Sequence, residues 1–133
     1  RIYNLNFAKS IINNEALDKL SKLNLTNITL SNTNFNDLGA QKLSHVQTLQ
    51  IIKANDTCIS NQGLASLKKL KNLMQLKIEG TKVDINGVRN ICQSKSLKKL
   101  CLAHCAKIKK PEEQLLRQEF PAIEFVFRGL YEE

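Results

Sequence analysis

Three residues that could bind a metal ion or act in nucleophilic catalysis lie close together in the sequence. They are Cys101, His104 and Cys105, with the spacing C-x-x-H-C. Thiolates and imidazoles are good zinc ligands, but a structural zinc site needs four of them and no fourth lies nearby in the sequence. A cysteine nucleophile paired with a histidine also needs a third group that orients the base, and none is evident. We therefore expect no metal, no cofactor and no catalytic residue here.

Other catalytic signatures are also missing from the sequence. The five glycines are isolated from one another, so none belongs to a phosphate-binding loop. The chain contains no G-x-S-x-G, H-E-x-x-H or paired-carboxylate catalytic motif. The acidic residues Asp37, Asp56, Glu79 and Asp84 are scattered over expected turns and strand ends. The sequence therefore predicts that this protein is not an enzyme.

The basic residues form short clusters, at Lys68, Lys69 and Lys71, at Lys98 and Lys99, and at Lys107, Lys109 and Lys110. The net charge is +8, from 20 Lys and Arg against 12 Asp and Glu. A nucleic-acid surface would also favour Arg and interleaved aromatic side chains, yet only 4 of these 20 residues are Arg and 5% of all residues are aromatic. The composition favours a solvated lysine-rich surface, able to steer an acidic protein partner, over a nucleic-acid partner.

Composition places the chain among folded proteins. Its 133 residues are enough for one domain with a buried core, and 42% are hydrophobic against 24% charged. No apolar run approaches the ~18 residues that a membrane helix needs, and no signal peptide is visible. The cysteines, Cys58, Cys92, Cys101 and Cys105, predict no disulfide framework, so we expect reduced thiols and a cytoplasmic location. Because the chain opens with Arg1 and not Met, we also expect a processed chain or a piece of a longer protein.

A recurring apolar frame, L-x-x-L-x-L, must position all of these residues. It appears as Ile2-x-x-Leu5-x-Phe7, Leu25-x-x-Ile28-x-Leu30, Leu49-x-x-Ile52-x-Ala54, Leu73-x-x-Leu76-x-Ile78 and Leu97-x-x-Leu100-x-Leu102. The last four copies start 24 residues apart, and the first lies one residue short of that step. Such a period predicts a solenoid, in which each frame forms a short strand with alternate residues pointing inward.

Other positions recur after each frame. Thr33, Thr57, Thr81 and Cys105 share one position, where a small polar group can fill space and bond the backbone of a sharp turn. Ser60 and Asp84 lie where a helix N-cap is expected. The glycines at 39, 63 and 87 indicate either that the convex segment approaches its surroundings closely or that the turn entering the helix is strained. Short helices are expected there, as at residues 64–70, with a second apolar layer from Leu43/Val46, Leu67/Leu70 and Val88/Ile91.

The two ends depart from this pattern. In the first coil we expect a helix starting near Asn13 with Leu17, Leu20 and Leu23 inward, and an apolar edge strand that needs upstream residues or an oligomer contact. In the last coil Pro111 opens a longer helix whose Leu115, Leu116 and Phe120 face the core, and Pro121 ends it. The final strand, 123–127, allows two registers, one burying Phe125 and the other Val126. Residues 128–133 are expected to be a loose tail.

These residues resemble leucine-rich repeat proteins. Residues 83–105, VDINGVRNICQSKSLKKLCLAHC, are similar to the cysteine-containing repeats of the ribonuclease-inhibitor and F-box-associated type. The forms TNFNDLGAQKL and TCISNQGLASL, with Thr at the Cys position, also resemble repeats of secreted bacterial effectors. The resemblance implies an α/β horseshoe, with a parallel sheet on its concave face and short convex helices. We expect one domain, 1–133, of about five coils with a capping helix and strand at 111–127.

In such horseshoes the concave sheet is usually the binding face. Side chains between the frame leucines should form two ladders, one from Asn4 through 27, 51 and 75 to Lys99, the other from Asn6 through 29, 53 and 77 to Cys101. Our predicted site is Asn27, Thr29, Ile51, Lys53, Gln75, Lys77, Lys99 and Cys101, and our predicted function is protein–protein interaction. One alternative is that the chain is the recognition segment of a larger multidomain enzyme, of a bacterial effector acting in the host cytoplasm, or of a ubiquitin-ligase substrate receptor, although no F-box sequence is present. The other alternative is a binder of RNA or anionic surfaces.

Overall fold

The computed structural model describes residues 3–129, which form one six-stranded parallel sheet with its strands in chain order. The strands are β1 Tyr3–Asn6, β2 Leu25–Thr29, β3 Ile51–Lys53, β4 Gln75–Lys77, β5 Lys99–Cys101 and β6 Glu124–Val126. The helices between them are α1 Asn14–Asp18, α2 Asp37–Leu43, α3 Asn61–Leu67, α4 Ile85–Ile91 and α5 Lys110–Glu119, and a 3₁₀ turn at Lys19–Lys22 follows α1. This order confirms the predicted solenoid. None of the helices among residues 3–129 has both the length and the apolar character needed to cross a membrane.

The apolar frame forms the core as predicted. Its residues in the second to fifth coils are at most 2% exposed, with Leu25, Leu49 and Leu76 at 0%. In the first coil Leu5 and Phe7 are only half-buried, because no coil among the described residues stacks before them, and Ile2 lies outside the described residues. The expected contact at this edge strand stays a prediction.

Each coil turns sharply after its strand. One residue per coil adopts a left-handed backbone, at Lys9, Asn32, Asp56, Gly80 and His104, with φ between 54° and 68°. In this conformation the N–H of Asp56 donates to the carbonyl of Glu79 in the next coil, at 2.7 Å. The turn therefore continues the hydrogen bonding between coils beyond the strands.

The predicted polar column follows this turn. The hydroxyl of Thr57 donates to the Ala54 carbonyl at 2.9 Å, and that of Thr81 donates to the Ile78 carbonyl at 2.7 Å. Both threonines are buried, at 7% and 6% exposed. Because these carbonyls end the strands inside the coil, the hydroxyls satisfy buried polar groups, and the Ile78 carbonyl also accepts from the Cys105 thiol. The prediction for Thr57 and Thr81 is confirmed.

The convex helices begin earlier than expected. The helix predicted at 64–70 spans Asn61–Leu67. It starts at Asn61 because Ser60, in extended backbone, is the N-cap residue directly before it. Gly63 is the third residue of this helix, and a Cβ there would lie 2.5 Å from Asp37 Oδ1 of the preceding coil. Close approach of neighbouring coils, and not a strained turn, explains this glycine. The second apolar layer, exemplified by Leu67 and Leu70, is fully buried as predicted.

The last coil differs from the others by its longer helix α5. Leu116 is fully buried and Phe120 half-buried as expected, but Leu115 is 43% exposed because it lies on the outer side of the helix. In β6 the alternating register is correct: Phe125 pairs with Leu100 and is buried, while Val126 pairs with Cys101 on the concave side.

Two further expectations about the ends were wrong. Leu23 was expected to face the core, but it is 43% exposed since it follows the 3₁₀ turn Lys19–Lys22 in extended backbone. The loose tail was expected to begin at Arg128, yet this side chain makes a two-nitrogen ion pair with Glu113, at 3.0 and 3.1 Å. Residues 130–133 lie outside the described residues.

Candidate partner-binding surface

The two predicted ladders exist on the concave sheet. The strands pair in parallel without a shift from β2 to β5, so that Ile51 lies between Asn27 and Gln75, and Lys53 lies between Thr29 and Lys77. Lys99 continues the first ladder and Cys101 the second. The 24-residue step of the sequence produces this register, because each coil advances the chain by one strand with the same residues facing inward.

Cys101 does not belong to the accessible surface. It was expected to be exposed, but it is 2% exposed, because its small side chain lies between the bulkier side chains of Lys77 and Val126, its partners in the ladder. Burial raises the pKa of the Cys101 thiol. The thiol is therefore neutral at physiological pH. The other predicted site residues are all exposed or half-buried.

The lysines of the concave face differ in their partners. Lys99 Nζ lies 3.7 Å from a Glu124 carboxylate oxygen in an exposed ion pair. Within residues 3–129, neither Lys53 nor Lys77 makes an ion pair, and their Cα atoms face each other in register across β3 and β4. The positive charge of these two lysines is consequently available to a ligand.

A groove of about 250 Å³ lies on the N-terminal half of the concave face. It is lined by the predicted residues Asn27, Thr29, Ile51 and Lys53, together with Asn4, Leu5, Asn6 and Ile28. Asn4 and Asn6 belong to the two ladders by sequence, but were not among the predicted site residues. The repeat frame indicated where they lie; the groove itself depends on the curvature of the sheet, which the sequence does not show.

The C-x-x-H-C constellation is divided among three environments. Cys105 is buried, its thiol donates to the Ile78 carbonyl at 3.2 Å, and its Sγ lies 3.6 Å from Thr81 Oγ1. His104 is exposed in the left-handed turn, and Cys101 is buried on the concave side. In the described part of the chain no group of three His, Cys, Asp or Glu side chains is placed to hold a metal ion.

The four cysteines are free thiols, and Cys58 is the exposed one among them. Burial raises the pKa of Cys92 to about 12. A thiol with so high a pKa forms almost no thiolate at neutral pH, and the thiolate is the reactive species. Cys92 therefore acts as a small packing residue.

One convex lysine, Lys68, has partners within the chain. Lys68 Nζ donates to Asn90 Oδ1 at 3.0 Å and to Gln93 Oε1 at 3.2 Å, and both acceptors belong to the next coil. Lys68 thus links neighbouring coils on the convex side. This role distinguishes it from Lys53 and Lys77.

No protein-family model and no curated protein matches this chain, but solved structures do. The tropomodulin C-terminal domain of Caenorhabditis elegans is similar, with a TM-score of 0.66, 13% identity, and coverage of 91% of this chain and 85% of that one. An internalin from Listeria monocytogenes is similar with a TM-score of 0.67, 16% identity, and coverage of 96% of this chain and 42% of that one. The chain thus spans less than half of that internalin.

These similarities and the repeat geometry define the fold class. The chain is an α/β leucine-rich-repeat solenoid, with a parallel concave sheet and short convex helices. At 13% and 16% identity, the comparisons establish the fold alone.

Proposed function

We propose that this chain is a protein–protein interaction module that binds a partner through its concave sheet. The observation that carries the proposal is the pair Lys53 and Lys77, which lie in register on adjacent strands and have no ion pair within residues 3–129. Neighbouring strands lie about 4.8 Å apart, and like charges directly opposite each other destabilise a sheet. A partner that supplies carboxylates would relieve this repulsion, so we propose an acidic protein surface.

The other accessible residues complete the proposed surface. Asn27, Thr29 and Gln75 offer neutral hydrogen-bonding groups, and half-buried Ile51 offers an apolar contact between them. Lys99 lies at the C-terminal side, where its charge is partly compensated by Glu124. Such a mixture, with a small apolar centre and a polar surround, is what a non-obligate protein interface needs.

The polar column also bears on the type of repeat. Cys105 takes the place of the threonines in the polar column, which supports a relation to cysteine-containing repeats. We further propose one domain over 1–133 in a cytoplasmic protein. The alternative, a recognition segment of a larger multidomain enzyme, bacterial effector or ubiquitin-ligase receptor, places the chemistry outside these residues. The complete open reading frame tests it, since an adjoining catalytic or F-box sequence would support the alternative.

Paired capture experiments test the binding face. Wild-type chain, Lys53→Glu with Lys77→Glu, and Lys68→Glu with Lys69→Glu serve as three baits, and captured proteins are identified by mass spectrometry. We expect partners that the wild type and the convex variant retain and the concave variant loses. For a purified partner, the concave variant should associate more slowly and show a weaker salt dependence, as removal of steering charges does. Loss of binding in the convex variant alone would move the site to the helical side.

A further inference from the structure

The groove on the concave face is lined by residues of three strands. Asn27 and Thr29 lie on the middle strand β2, with Asn4 and Asn6 of β1 on one side and Ile51 and Lys53 of β3 on the other. Its volume, about 250 Å³, is below the roughly 300–1,000 Å³ of most small-molecule pockets. The groove therefore suits a short stretch of polypeptide lying along β2 better than a bulky cofactor.

The two ends of the groove differ in chemistry. At the end where the strands begin, the ladder reads Asn4, Asn27 and Ile51, which is neutral and contains one apolar side chain. Two residues further along each strand, the ladder reads Asn6, Thr29 and Lys53, which ends in an exposed cation. Side chains two residues apart on one strand point to the same face and are separated by about 6.6 Å.

We propose that this groove binds an extended peptide segment of the partner in which an apolar residue and an acidic residue lie two positions apart. The inference rests on the proposed function and specifies its ligand. Residues i and i+2 of an extended segment have the same spacing as Ile51 and Lys53, about 6.6 Å. The apolar side chain packs on Ile51, while the carboxylate reaches Lys53, with the charge of Lys77 beside it on the next strand.

The amides of the groove favour a polypeptide as the ligand. Each asparagine side chain carries two N–H donors and a carbonyl acceptor, so the asparagines can pair with both main-chain groups of an extended segment. Asn6 offers mainly its N–H donors, because its Oδ1 already accepts from the Ala8 N–H at 2.9 Å. Nucleic acid would instead favour arginine and aromatic side chains, and the groove residues include neither. The ammonium of Lys53, which makes no ion pair within residues 3–129, selects an anionic side chain at one end. This selection also fixes the direction of the segment.

Two substitutions test the groove without disturbing the repeat. Ile51→Asn copies Asn27, and Lys53→Thr copies Thr29, the residues at the same positions one coil earlier. Random hexapeptides displayed on phage are selected on the full chain, and the selected peptides are then synthesised. Their affinities are measured by fluorescence polarisation against the wild type, both variants and the convex control Lys68→Glu. Circular dichroism melts verify that all variants fold.

We expect selected peptides to contain an apolar residue and an Asp or Glu two positions apart. Lys53→Thr should weaken their binding about two- to fivefold, more at low salt, as loss of a partly exposed charge pair does. Ile51→Asn should weaken the same peptides but not variants whose apolar residue is Ser, and Lys68→Glu should leave affinity unchanged.

Three outcomes overturn the proposal. A library that yields no binder above background, or binders without an acidic preference, shows that the groove has no such ligand. Binders that respond to Gln75→Ala or Lys77→Ala but not to the two groove variants would remove the groove and keep the concave face as the binding surface. Binders that respond to Lys68→Glu alone would contradict both the groove and the proposed function.

Discussion

The carboxylate of Asp37 caps the helix that begins after Ser60, one coil further along the chain. Its Oδ1 accepts hydrogen bonds from the backbone N–H of Ser60 at 2.7 Å and of Gly63 at 3.0 Å, and its Oδ2 accepts from the Ser60 hydroxyl. Ser60 holds the N-cap position but makes no capping hydrogen bond with its own side chain. Free N–H groups of α3 are thus satisfied from the preceding coil, which links the stacking of coils to helix formation.

Removing this carboxylate should destabilise the fold. We expect Asp37→Ala to lower the free energy of unfolding by about 1–3 kcal/mol, because the Ser60 and Gly63 N–H groups lose their acceptor. Asp37→Asn should cost less, since Asn14 and Asn61 hold the corresponding first helical position in the neighbouring coils. Urea unfolding followed by circular dichroism measures both variants. Equal stability of Asp37→Ala and the wild type would show that water caps the helix equally well.

The polar column gives a second prediction. Thr81→Val keeps the shape of the side chain but removes the hydroxyl donor to the Ile78 carbonyl, which then keeps only the weak thiol donor of Cys105 at 3.2 Å. We therefore expect a loss of about 1 kcal/mol, the net value of one hydrogen bond. Thr81→Ser, which retains the hydroxyl, is the matched control and should lose less than Thr81→Val. The two variants are compared by their urea midpoints, and a Val variant as stable as the wild type contradicts the role assigned to this hydroxyl.

These two sites differ in how well the sequence predicted them. The threonine at position 81 recurs every 24 residues beside an apolar frame, and its partner carbonyl lies three residues earlier, so the local pattern contains the whole interaction. Asp37 acts on a residue 23 positions later, and Ser60 itself looks like an ordinary N-cap. The sequence shows a polar residue at the first helical position of several coils but not the coil on which it acts.

The wrong predictions of side-chain exposure have a related cause. Frame residues are buried because the repeat places them between sheet and helices, so period alone predicts their burial. Cys101 lies on the concave face, where exposure depends on the size of the flanking Lys77 and Val126. Leu115 lies on the longer terminal helix, whose rotation the repeat does not determine. The concave groove likewise depends on sheet curvature, a property of the assembled coils.

The close approach at Gly63 makes alanine harmful there. Alanine favours a helix by about 1 kcal/mol over glycine. However, a Cβ at Gly63 would lie 2.5 Å from both Asp37 Oδ1 and Ile59 Cγ1. We expect a net loss of about 1–3 kcal/mol for Gly63→Ala, since the coils must move apart.

A double-mutant cycle with Asp37→Ala tests this cause. Part of the clash disappears with the carboxylate, so the cost of Gly63→Ala should be smaller in the Asp37→Ala background. Urea unfolding of the four proteins gives the coupling. A stabilising Gly63→Ala, or two strictly additive substitutions, would show that helix propensity and not the contact with Asp37 controls this position.

Asp84 should make stability sensitive to acid. The pKa of Asp84 is lowered below its ordinary 3.8, mainly because its carboxylate accepts a hydrogen bond from the Asn61 amide. Backbone N–H groups at the start of α4 lower it as well, while burial acts in the opposite direction. A lowered folded-state pKa means that the stabilisation is present above pH 3.8 and is lost as the pH falls through the folded-state value.

The variant Asp84→Asn removes this titration while keeping a capping side chain. The stability difference between the wild type and Asp84→Asn should therefore favour the wild type at pH 7 and shrink as the pH falls below about 4. Urea midpoints across this pH range measure the difference, and carbon-detected NMR titration gives the Asp84 pKa directly. A pKa at or above 3.8 would contradict the assigned hydrogen bonding.

The concave lysines Lys53 and Lys77 should lower the stability of the unbound chain. Lys53 and Lys77 face each other in register without an ion pair in the described residues, so Lys53→Glu converts a repulsive pair into an attractive one. Cross-strand pairs of opposite charge contribute about 0.2–1 kcal/mol, and we expect a gain of that size at low salt. The gain should shrink at about 1 M salt, where the Debye length is about 3 Å.

Lys68→Glu should instead destabilise the fold, because the Lys68 ammonium donates to Asn90 and Gln93 of the next coil. Urea unfolding of both variants at two salt concentrations makes the comparison. A salt-independent loss of stability in Lys53→Glu would mean that Lys53 supports the fold, and its charge would then no longer argue for a partner.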